Sequence, residues 1–117
     1  MITPIFRIFD KEKAESFYLD YLGFQADWEH QYTADTPLYF QVSINGACIH
    51  LSEHHGDASP GSTIRIHMEN LKNYYALLKD KPYRYFNPGL EKTPWNTLEV
   101  TVIDPFSNRI IFYEDIE

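Results

Sequence analysis

The side chains with usable chemistry fall on alternate residues. Gln41 and Ser43 alternate with Phe40, Val42 and Ile44, and His50 and Ser52 alternate with Ile49 and Leu51. Thr63, Arg65 and His67 alternate with Ile64, Ile66 and Met68, while Glu99 and Thr101 alternate with Leu98, Val100 and Val102. Collected on one surface, these amides, hydroxyls, imidazoles, guanidinium and carboxylate could recognise a small molecule. Glu99 could fix a cation, or pair with Arg65, whose burial without a partner would cost several kcal/mol. His67 could accept a proton, or serve as a hydrogen-bonded wall. Trp95 could stack on a planar ligand, or plug a subunit interface. The sequence has no Gly-rich phosphate loop, nucleophile elbow or Cys-x-x-Cys pair.

Period-two alternation predicts strands with one apolar and one polar face. In the first half, Ile5 to Phe9 reads as a strand, and Asp10 opens a helix with Ala14, Phe17, Tyr18, Tyr21 and Leu22 on one stripe. Gly23 supplies a left-handed stop. A short strand follows around Phe24 to Glu29, then Leu38 to Ile44, an Asn45-Gly46 hairpin turn, and a return strand from Ala47. In the second half, Thr63 to Met68 is a strand and Asn70 caps a helix carrying Leu71, Tyr74, Tyr75 and Leu78. Pro82 ends that helix and pushes Lys81 out of helical geometry. A strand near Tyr83 to Phe86, a Pro-Gly loop and a terminal hairpin turning at Asp104-Pro105 complete it.

The order β-α-β-β-β thus occurs twice. It predicts one α+β domain, 1–117, built of tandem βαβββ modules: 1–53, a linker at 54–61, and 62–117. Each helix covers one face of its sheet, so the sheets are expected to curve around a cleft with the helices outside. The uncovered faces are too polar for a dry core. Tyr39, Trp95, Ile111 and Tyr113 make them too apolar for a plain wet surface, which is the composition of a ligand pocket.

Bulk properties narrow the class. A net charge of −7 disfavours nucleic acid and attracts cations. No run of about 18 apolar residues exists to span a membrane, and Met1-Ile2-Thr3-Pro4 does not open an export signal. The single Cys48 suits a reducing cytoplasm.

Longer motifs carry a resemblance. Phe17-Tyr18 and Tyr21-Leu22-Gly23-Phe24 resemble the first helix and Leu-Gly-Phe ending of the vicinal oxygen chelate superfamily, which includes glyoxalase I, ring-cleaving dioxygenases and bleomycin-resistance proteins. Pro94-Trp95, Glu99, Asp104-Pro105 and Asn108 resemble the terminal hairpin of the bleomycin-resistance branch. Asn96 and Ser107 stand where that hairpin has glycines, and Leu98 where it commonly has an arginine.

Metal-using members bring four ligands together from matching strands of the two modules. By strand position these fall on Pro4, His50, Thr63 and Ile111, of which only His50 is a good ligand; catalytic divalent sites usually take about three protein ligands. An offset set of His50, His67 and Glu99 stays open as an alternative, although a one-residue slip in placing the strands would turn each side chain to the opposite face. On a strand, His50 and His54 lie roughly 13 Å apart, too far for one ion.

The resemblance therefore implies no metal ligand, no catalytic residue and no cofactor. It implies a non-catalytic, cytoplasmic homodimer that binds a small molecule and sequesters a cationic aromatic antibiotic such as bleomycin. The alternative is a diverged metal-dependent lyase, isomerase or dioxygenase. The candidate ligand-binding residues are Tyr39, Gln41, His50, Ser52, Arg65, His67, Trp95, Glu99 and Tyr113.

Overall fold

A computed structural model describes residues 1–81 and 88–116. The first repeat runs β1 (Ile5–Arg7), α1 (Lys11–Glu15) with a π-helical continuation (Ser16–Tyr21), β2 (Gln25–His30), β3 (Tyr39–Ile44) and β4 (Ala47–Ser52). The second runs β5 (Thr63–His67), α2 (Leu71–Asp80), β6 (Leu90–Lys92), β7 (Thr97–Ile103) and β8 (Arg109–Asp115). The βαβββ order occurs twice, as the alternation predicts. The strand expected near Tyr83 to Phe86 lies outside the described residues, and β6 was not anticipated.

Two four-stranded mixed sheets result, ordered β1-β4-β3-β2 and β5-β8-β7-β6. In each, the first strand pairs in parallel with the last and the other pairings are antiparallel. Asn45 and Gly46 both have positive φ, the geometry of a type I′ hairpin turn.

Each helix forms for local reasons, with one surprise apiece. Asp10 is extended, and its carboxylate accepts from the Lys13 amide at 3.0 Å, as an N-cap should. The helix then widens: the Leu22 amide reaches back five residues to the Phe17 carbonyl at 2.9 Å. This turn buries Phe17, Tyr18, Tyr21 and Leu22 together, and Gly23 ends it at φ +82°. Asn70 precedes α2, but its side chain makes no capping bond. The Glu114 carboxylate caps instead, accepting from the amides of Asn70 at 2.8 Å and Leu71 at 3.2 Å. Lys81 is extended, as expected before a proline.

The covered faces merge into one core that includes Phe6, Leu51 and Val42 from the first sheet and Val100, Ile110 and Phe112 from the second. Polar bonds join the repeats at its edge. The Tyr74 hydroxyl donates to the Leu22 carbonyl at 2.6 Å. Asn108 Nδ2 donates to the Arg7 carbonyl at 2.9 Å.

Candidate functional site

The uncovered faces carry the nine candidate residues in two groups. Tyr39, Gln41, His50 and Ser52 lie on the first sheet; Arg65, His67, Trp95, Glu99 and Tyr113 belong to the second repeat. Among the described residues, the hydrogen bonds and ring contacts of the first group stay within the first repeat and the linker that follows it, and those of the second group within the second repeat. Arg65 and His67 alone of the nine line a groove of about 580 Å³ that also takes in Pro4 and Cys48, so it spans both repeats.

On the first sheet, register sets Gln41 beside His50, and a directional chain of hydrogen bonds follows. Asp27 Oδ2 accepts from Gln41 Nε2 at 2.9 Å, and Asp27 Oδ1 from Ser43 Oγ at 3.1 Å. A carboxylate only accepts, so Gln41 must turn its NH₂ toward Asp27 and its carbonyl toward His50. That carbonyl lies 2.9 Å from His50 Nε2, which must then carry the proton. Nδ1 is left to accept from the Tyr39 hydroxyl at 2.6 Å. Burial, with the nearby charge of Asp57, holds the Tyr39 phenol above its usual pKa, keeping it a donor. Trp28 stacks on Tyr39 (6.1 Å, 15°) and stands edge-on to His50 (5.2 Å, 72°). Ser52 is fully buried, donating to Asp57 at 2.6 Å and accepting from the His54 amide; its hydroxyl holds the start of the linker.

On the second sheet, Glu99 is the centre. Its Oε2 accepts from Arg65 Nη2 at 2.8 Å, Thr97 Oγ1 at 2.9 Å and Trp95 Nε1 at 3.3 Å. Burial pushes this carboxyl up, but the bonds from Arg65, Thr97 and Trp95, with the guanidinium's charge, outweigh it and hold Glu99 below the ordinary range. The Arg65 guanidinium also lies over the Tyr113 ring at 4.5 Å, and His67 meets that ring edge-on at 5.3 Å. Trp95 is 63% exposed, so its outer face is open.

The donor set does not fit a divalent ion. Of Pro4, His50, Thr63 and Ile111, only the imidazole is a good ligand, and both its nitrogens are already engaged. Among the described residues, no three His, Cys, Asp or Glu side chains converge on one point. His54 and His55 fall beyond β4, and His54 packs against the Tyr39 ring.

Sequence reasoning missed Asp27 and Trp28. Their strand shows no clean alternation, and its register shifts between Ala26 and Trp28.

Two sheets of this order, with helices against one face and a polar, aromatic opposite face, define a class that comparison identifies. The chain belongs to the glyoxalase superfamily: it matches the family described as "Glyoxalase superfamily protein" over residues 1–117. No curated protein sequence matches it. Among solved structures, a bleomycin-binding protein complexed with bleomycin is 15% identical, with TM-score 0.74 and 98% of each chain covered. A bleomycin resistance determinant encoded on the transposon Tn5 is 15% identical, with TM-score 0.75, covering 98% of this chain and 97% of that one. TnmS3, an antibiotic-binding protein from Streptomyces sp. CB03234, is 21% identical, with TM-score 0.68, covering 98% and 96%. At these identities the likeness establishes the fold. Among the described residues, no helix is long and apolar enough to cross a membrane.

Proposed function

We propose that this chain is a non-catalytic binding protein that sequesters a small, flat, cationic molecule of the antibiotic type, acting as a cytoplasmic homodimer. The carrying observation is the state of His50, the one good ligand at the family's metal positions: its nitrogens are satisfied by Tyr39 and Gln41. One imidazole falls short of the roughly three protein ligands that hold a catalytic divalent ion, and the fold keeps its binding surface. Open indoles at Trp28 and Trp95 offer stacking area, and a net charge of −7 draws cations. Solved structures of this fold include one with bleomycin bound and one of an antibiotic-binding protein. Exposed Ile2 and Ile5 are apolar surface that a second copy would cover.

Calorimetric titration with bleomycin and other cationic aromatics tests the binding claim, and light scattering the dimer. Saturable heat that follows ligand charge is expected. Absence of heat with every such compound at tens of micromolar, or a monomer at micromolar concentration, would remove the corresponding part.

A further inference from the structure

We propose that Asp27 and Trp28 together form a recognition site for a flat cationic group, such as a guanidinium, an amidinium or a protonated amino-heterocycle, on the uncovered face of the first sheet. The inference rests on the binding-protein reading and gives it a location.

Consecutive residues of a regular strand point to opposite faces. Asp27 and Trp28 do not. Ala26 pairs with Val42 and Trp28 with Gln41, so one residue of β2 is extra between them. Such a bulge re-aims side chains and bends the strand. The contacts show the outcome. Asp27 bonds Gln41 and Ser43, and Trp28 packs on Tyr39 and His50. All four partners share the uncovered face, so a carboxylate and an indole project from it side by side.

Charge selects this pair over Glu99. Glu99 is matched by Arg65 at 2.8 Å. Asp27 is held only by neutral donors, and it takes part in no ion pair among the described residues. Two hydrogen bonds leave about half of a carboxylate's acceptor sites open. Trp28 is 45% exposed, with Tyr39 stacked against it and His50 at its edge, so a planar cation can lie on the indole while its N–H groups reach Asp27. The chain of bonds from Tyr39 through His50 and Gln41 fixes Asp27 beforehand, which lowers the ordering cost of binding.

The test is titration of the full chain with proflavine, a planar cation bearing N–H donors, and with bleomycin, at neutral pH and two salt concentrations. Wild type is expected to bind proflavine, more weakly at high salt. Asp27→Asn and Trp28→Ala should each weaken binding about tenfold or more, with Asp27→Asn flattening the salt dependence, while Asp80→Asn, at the end of α2, stays within about twofold; Glu99→Gln tests the competing location. Thermal melts report whether each variant folds; Asp27→Asn, isosteric and on an exposed edge strand, carries the test alone if Trp28→Ala does not. Unchanged proflavine affinity in Asp27→Asn overturns the site. If Glu99→Gln is the variant that weakens binding, the binding-protein reading survives and the location does not. If wild type binds neither compound, both fall.

Discussion

The Tyr18 hydroxyl donates a 2.6 Å hydrogen bond to Asp104 Oδ2, pinning the π-helical turn of the first repeat to the β7–β8 turn of the second. Asp104 also accepts from the amides of Phe106 and Asn108 and from Asn108 Nδ2. Burial raises the Asp104 pKa, and the bonds from Tyr18, Asn108 and Phe106 only partly offset it. The folded state therefore takes up this proton before the unfolded state does. Between the raised folded value and the ordinary 3.8, this group makes stability rise as pH falls. Tyr18→Phe keeps the ring but removes one bond to the charged form, which should cost about 1.5–3 kcal/mol at neutral pH. The penalty should shrink on acidification toward the folded pKa, because without the Tyr18 bond the variant's carboxyl protonates first. Urea denaturation of both proteins across acidic and neutral pH checks it; a constant gap would separate Tyr18 from the Asp104 titration.

Glu99 titrates with the opposite sign. Its folded pKa lies below the ordinary 4.5, so its contribution is present above that value and is lost as pH falls through the lowered one. The Arg65 side chain is 41% exposed, and solvent screens the pair. Glu99→Gln should cost on the order of 1 kcal/mol at neutral pH and converge with wild type in strong acid. The same denaturation series measures both carboxyls, and parallel curves would refute the assignment.

Ser107 and Asn96 hold left-handed conformations at φ +73° and +64°, where the resembling hairpin has glycines. A non-glycine residue there is strained by about 1–2 kcal/mol, with asparagine the better tolerated. Ser107→Gly should therefore raise the melting temperature by a few degrees, and Asn96→Gly by less. Calorimetric melts of the two single variants decide the order.

The Glu114 cap predicts that Glu114→Ala leaves the amides of Asn70 and Leu71 without their acceptor. The loss should be about 1 kcal/mol, as for other N-cap removals. Asn70→Ala should lose no capping bond, though it forfeits asparagine's tolerance of φ +56°. Faster amide exchange at the start of α2 in Glu114→Ala alone would show which residue caps the helix.

What could be read from sequence was what short-range rules govern. Alternation at Thr97–Ile103 and the Asn45-Gly46 turn each specify their geometry within a few residues, so the repeated order was legible. The cap on α2 was not, because Asn70 matches the local preference while its acceptor arrives from 44 residues away. The π-helical widening was hidden because Phe17, Tyr18, Tyr21 and Leu22 also fit an ordinary helical stripe. The candidate face was legible as a face, since parity assigns sides, but its division into two groups depends on how the sheets are placed. The bulge at Asp27 left no glycine or broken repeat to mark it, and the two residues it brings together were passed over.

His50 gives the last prediction. The logic starting from Asp27 requires His50 to donate from Nε2, so that its neutral form is the tautomer that accepts at Nδ1. Long-range proton–nitrogen NMR at neutral pH should show that tautomer alone, and Gln41→Ala should admit the other by removing the acceptor. The same bonds oppose metal capture, because an ion must displace Tyr39 from Nδ1 or the proton from Nε2 and finds no further donors at Pro4 or Ile111. Excess zinc or nickel should shift the melting temperature by less than about a degree, whereas an ion at a hundred times its Kd would add about 2.7 kcal/mol. Variants Tyr39→Phe and Gln41→Ala free one nitrogen each but still present a single ligand, so they too should stay unresponsive. A metal-dependent rise in wild type that disappears in His50→Ala would show that the imidazole is available after all.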